Sequence, residues 1–141
     1  VGLDRAVADD AVDRMYEDGF PRNGIQQAHD HALEQVADLA VDAIADGSRR
    51  DDRVPTVSRA AAQSLEDRHG IDYIAPLSGF GRGAVDDLVA ATLAVETGPS
   101  EAVPKADYEG ELRAVLAERH GEDAVEDVFP AHEQTYVHRR R

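Results

Sequence analysis

The sequence has no cysteine and no tryptophan, and among its 141 residues Lys105 is the only lysine. Without cysteine there are no disulfides, no thiolate nucleophile and no cysteine-ligated zinc. Large apolar side chains are also scarce, with 3 Phe and 4 Tyr. Most of the apolar content is therefore Ala and Val. Small side chains bury little area each, and at roughly 25 cal/mol per Å² this predicts thin helix contacts and a need for burial against other polypeptide. No stretch approaches the roughly 20 apolar residues that cross a bilayer. No signal-peptide pattern opens the sequence, so export is not expected. The length suits one domain with one core.

What is abundant is acid. There are 29 Asp and Glu against 15 Lys and Arg, a formal net charge of −14, and 14 of the 15 basic residues are arginine. Acidic excess, scarce lysine and abundant Ala and Val resemble the proteins of salt-in halophilic archaea. That resemblance implies work in molar salt, where a Debye length of about 3 Å screens like-charge repulsion. It places the chain in the cytoplasm of such a host or in the virion of a virus infecting it.

Apolar residues at helical spacing predict an all-α fold of five to six helices over residues 1–130, followed by an extended basic arm over 131–141. The first stripe is Leu3, Ala6, Val7, Ala11, Val12 and Met15, ended by Gly19 and Pro21. The second runs from an Asn23 N-cap through Ile25, Ala28, Ala32, Val36, Ala40 and Ile44 to Gly47 as the left-handed residue after the helix. Ser58 or Thr56 caps a third helix closed by Gly70. Ile71–Ala75 reads as a short extended segment, too short to imply a sheet. A fourth helix covers 84–98, a linker covers 99–107, a fifth helix starts at Asp107 and ends at Gly121, and a short sixth ends at Pro130. "LEDRHGID" and "LAERHGED" echo each other. Arg and His suit the negative end of a helix dipole and Gly suits the turn after it, so convergence on one helix ending explains the echo.

Several groups invite a chemical reading. His29, Asp30, His31 and Glu34 put a histidine and a carboxylate on one helix face, as metal sites require. "HDHALEQVADLA" resembles the helix that carries the first histidine of HD-domain phosphohydrolases, which implies a later His-Asp dyad. Here "HGID" and "HGED" separate His from Asp, which departs from that pattern. Glu66 with His69 forms a single Glu-x-x-His, whereas a di-iron bundle needs two. Glu34, Asp38 and Asp42, with Asp86 and Asp87 later, resemble a Mg²⁺-holding acid ladder without its paired glutamates. Gly79, Gly81 and Gly83 around Arg82 make a glycine-rich turn before a helix. Asp86 and Asp87 in its first turn would repel an anion. Ser58, Ser64 and Ser78 lack the strand-turn-helix setting of an activated nucleophile.

The C-terminus opposes the rest in sign. His138, Arg139, Arg140 and Arg141 form a cationic end beside Tyr136 and Val137. Arginine pairs bidentately with carboxylates and tyrosine anchors interfaces, so these six residues are the expected partner-binding segment. Protein is the expected partner, as a homo-oligomer or a larger assembly. Nucleic acid is disfavoured by the acidic body. The resulting expectation is a non-catalytic structural or adaptor protein of a halophilic archaeon or its virus, with a viral head–tail connector as one form. No cofactor or metal is expected. Two other readings stay open: a small metal-dependent hydrolase on the His29–Glu34 face, and a helix-turn-helix regulator built from Ser58–Gly70 and the helix after Gly83.

Overall fold

In the computed structural model, which describes residues 2–99 and 108–141, the Asp4 carboxylate accepts the Ala6 N–H and opens α1 (Arg5–Asp18). Gly19, at φ 69°, closes it in the left-handed conformation that glycine adopts without a Cβ clash. α2 (Arg22–Ala37) folds back along α1, and α5 (Tyr108–His120) and α6 (Glu122–Val128) complete the group. Of the stripe read from the sequence, Ala11, Val12 and Met15 are buried, Leu3 and Val7 are partly buried, Ala6 is exposed, and Ala8, outside that stripe, is buried as well. Ala8, Ala11, Val12 and Met15 of α1 meet Ala28, Leu112, Val115, Leu116, Ala124, Val128 and Phe129. Close approach of α1 to α2 depends on Gly24, where a Cβ would come within 2.6 Å of the Ala11 carbonyl and would overlap Met15.

The all-α expectation is not met. Six helices are joined by four strands in two small sheets among the described residues. α2 ends at Ala37, not near Gly47, and the chain turns through Asp38 to Val41 into β1 (Ala43–Ala45). After α3 (Arg59–His69), β2 (Asp72–Ile74) pairs with β1 in parallel, Ile44 opposite Tyr73. Asp72 N–H to Asp42 O and Asp46 N–H to Ile74 O extend this ladder at both ends. β1, α3 and β2 thus form a small strand–helix–strand unit. Its cluster of Ala37, Ile44, Leu65 and Ile71 is separate from the helical core. Alanine- and valine-rich runs satisfy helical and strand periods alike, and only pairing to a distant segment distinguishes the two.

The second correction follows the same logic. α4 (Arg82–Thr92) stops where Leu93 turns extended, and β3 (Leu93–Pro99) occupies what reads as the end of a helix. Its partner is β4 (Glu133–Arg140), antiparallel, with an irregularity in register at Ala94/Val95. The segment expected to be an arm is therefore a strand against its own chain. Of the expected linker at 99–107, Pro99 ends β3, and the remainder with the Asp107 helix start lies outside the described residues. No helix among the described residues is long and apolar enough to cross a membrane.

Candidate functional site

Asp46 stands one residue beyond the carboxyl end of β1, the position at which parallel-sheet proteins place ligand sites. It is the one buried charged or polar residue among those described, 8% exposed. Its Oδ1 accepts the Ser48 backbone N–H at 2.8 Å and the Ser48 hydroxyl at 2.7 Å. Its Oδ2 accepts the Tyr73 hydroxyl at 2.7 Å and lies 3.1 Å from His29 Nε2. Burial alone would raise this carboxyl. The hydrogen bonds from Ser48 and Tyr73, with His29 alongside, outweigh burial and hold it below the ordinary carboxylate range. The Tyr73 phenol is pushed up by burial and by the carboxylate it serves, so it stays a donor.

His29 carries this network outward. Its other ring nitrogen lies 3.4 Å from the Tyr108 hydroxyl, and the two rings meet edge-on with centroids 6.1 Å apart. Tyr108 in turn lines a cleft of about 850 Å³ whose walls include Phe20, Ile25, Val54, Pro55 and Phe129, with Arg22 and Arg53 also lining it. This volume falls in the range of small-ligand sites, roughly 300–1,000 Å³. The rim from 47 to 58 is pinned on two sides. Gln26 and Thr56 exchange two hydrogen bonds of 2.9 Å. On the other flank Arg50 N–H donates to Phe80 O at 3.0 Å, and Asp51 Oδ2 accepts the Arg82 N–H at 2.8 Å.

The histidines and carboxylates of α2 do not converge. His29 turns to Asp46. His31 meets Gln35 at 2.8 Å, and Glu34 receives both Arg68 and, at 2.9 Å, His69. Asp38 lies 3.3 Å from His69. No group of three potential ligands could hold a metal ion among the described residues, so the metal-hydrolase arrangement is not formed. Glu66 accepts the Tyr73 N–H and serves no bundle site. The glycine-rich turn is occupied by this chain itself, since the Asp51 carboxylate caps α4 at Arg82. α3 and α4 are separated by β2 and the turn after it, so they do not form a helix-turn-helix pair. The two Arg-His endings serve the same purpose, fastening one helix to another. Arg68 and His69 grip Glu34 of α2, while Arg119 and His120 grip Asp13 of α1.

The C-terminal residues lie in and just after β4. Tyr136 and Val137 remain exposed, and His138 pairs with Glu96 across the ribbon at 3.0 Å. Arg141 N–H donates to Thr92 O. Asp46, Ser48, Tyr73 and Tyr108 are not legible as a group in the sequence. The usable signal is "AIADGS", a short apolar run into Asp-Gly that suits the end of a strand.

Comparison with known proteins bears on the sequence and the fold. The uncharacterized protein MJ0690 of Methanocaldococcus jannaschii is 42% identical over 137 residues, 97% of this chain and 67% of the relative. A crystal structure from the same organism, of a protein described as a predicted subunit of tRNA methyltransferase, superposes with a TM-score of 0.84. It is 39% identical and matches 100% of this chain and 69% of that one. The chain therefore spans about two thirds of the length of each. These cellular archaeal relatives overturn the expectation of a structural adaptor or viral head–tail connector in a virion. A family model matches residues 1–139, and the chain belongs to that family, the family of unknown function DUF7411.

Proposed function

We propose that this chain forms part of a subunit of an archaeal tRNA methyltransferase and works in complex with protein partners. The observation that supports this reading best is agreement in fold along the whole chain with a predicted subunit of such an enzyme, at 39% identity. The cleft above Tyr108 is the surface we assign to tRNA. Phe20, 45% exposed, offers a flat apolar face to a base, and Arg22 and Arg53 offer donors to a neighbouring phosphate. Contact is local, because the strongly acidic remainder of the chain repels a polyanion.

The test is genetic and chemical. Deleting the gene in its host and measuring modified nucleosides in bulk tRNA should show loss of one methylated nucleoside. Complementation by the intact gene should restore it, and complementation by a Phe20→Ala, Arg53→Ala double variant should not. An unchanged methylnucleoside profile in the deletion strain refutes the proposal.

A further inference from the structure

We propose that the cleft selects a base carrying an exocyclic amino group, because Asp46 and His29 fix the Tyr108 hydroxyl as a hydrogen-bond acceptor. This rests on the reading of the cleft as a tRNA surface and names what that surface recognises. The sense of each bond follows from the one end of the relay that cannot change. Asp46 is buried, and its carboxyl is held below the ordinary range, so at neutral pH it is ionised and only accepts. It takes the Ser48 N–H and hydroxyl on Oδ1 and the Tyr73 hydroxyl on Oδ2. His29 Nε2, 3.1 Å from Oδ2, therefore carries the ring proton. A neutral imidazole protonated there has a bare lone pair on Nδ1. The Tyr108 hydroxyl, 3.4 Å away, donates to it. With its proton committed inward, the Tyr108 oxygen has only lone pairs to offer a ligand.

The cleft gives that polarity weight. Tyr108 stands half-buried at the start of α5, and its neighbours in the wall include Ile25, Val54, Pro55 and Phe129. Against such walls a ligand N–H that meets the Tyr108 oxygen gains a bond. A ligand carbonyl at the same place sets lone pair against lone pair. Glu109, also in the wall, accepts from Arg113 at 2.9 Å and adds no donor. Phe20, Arg22 and Arg53 read the face of a base and its phosphate, which all bases share, so identity is left to Tyr108. Cytosine is the smallest base with the required amine.

The purified chain tests this without the deletion strain. Cytidine and uridine monophosphates place an amino group and a carbonyl at the same ring position. In mildly alkaline buffer, which keeps imidazole neutral, calorimetric titration should show wild type binding the cytidine compound about 3–10-fold more tightly. Tyr108→Phe keeps the ring, removes the acceptor and should abolish the preference. In Asp46→Asn the two Ser48 donors keep the amide oxygen at the Oδ1 position, so the amide N–H faces His29. The ring proton then moves to Nδ1 and the Tyr108 O–H turns to the cleft. That variant, with wild-type circular dichroism, should prefer the uridine compound. A purely structural relay would weaken both alike and never reverse them. Wild type that binds neither compound or prefers uridine, Tyr108→Phe that keeps the preference, or Asp46→Asn that still favours cytidine would overturn the proposal. Any of these beside a deletion strain that loses a methylated nucleoside would leave the tRNA reading standing, so the two fail separately.

Discussion

His29 Nε2 lies 3.1 Å from Asp46 Oδ2, joining a helix to the end of a strand seventeen residues further along the chain. The contact ties the helical core to the β1–α3–β2 unit, because His29 also reaches Tyr108 of α5 while Asp46 holds Tyr73 of β2. Removing the carboxylate would leave the Tyr73 hydroxyl and the Ser48 donors without their acceptor in a partly buried setting. An Asp46→Ala variant should lose about 2–4 kcal/mol of stability, read as a lower denaturant midpoint with unchanged slope.

Asp46 also sets a pH dependence. Its folded-state carboxyl is held below the ordinary value of 3.8. The stability it contributes is fully present above that ordinary value and is lost as pH falls through the lower folded value. The stability difference between wild type and Asp46→Asn in urea should therefore shrink as pH falls below about 4. A difference that grows on acidification below about pH 4 would contradict the assigned direction.

Gly24 and Gly83 should respond oppositely to alanine. At Gly24 a Cβ meets Met15 and the Ala11 carbonyl, so Gly24→Ala should push α1 from α2 and cost about 1–3 kcal/mol. At Gly83 nothing lies within 4 Å, and Gly83→Ala on an exposed helix should gain about 0.5–1 kcal/mol. Thermal melts of the two variants distinguish these outcomes.

Burial should outweigh surface pairing at α5. Leu116 is fully buried, and Leu116→Ala should cost about 2–5 kcal/mol. Arg119, paired with Asp13 at the surface, should matter far less when replaced by Ala, and less again in molar salt. Denaturant midpoints at low and high salt check both.

How far the sequence reaches is visible element by element. The end of α1 at Gly19 and both ends of α3, Ser58 and Gly70, are legible because these residues act within a few positions of the helix they bound, whereas the Asp4 cap of α1 is seen only in the structure. The helical pattern of α2 overruns its true end at Ala37, since Val41 and Ile44 keep the helical interval while belonging to a turn and a strand. The candidate site is legible only at His29. Its partner Asp46 gains meaning through β1 pairing with β2, and no local pattern reports that pairing.

Local sequence was enough for the buried Ala11, Val12 and Met15 of α1, the helix endings at Gly19, Gly70 and Gly121, the acidic composition and the cationic C-terminus, because each depends on neighbours within a turn or on composition alone. Folding in three dimensions settled which valine-rich runs became strands, where Asp46 found its donors, and that the terminal arginines close a ribbon with β3. Those outcomes depend on backbone partners tens of residues away, and a strand's hydrogen bonds exist only once that partner is in place.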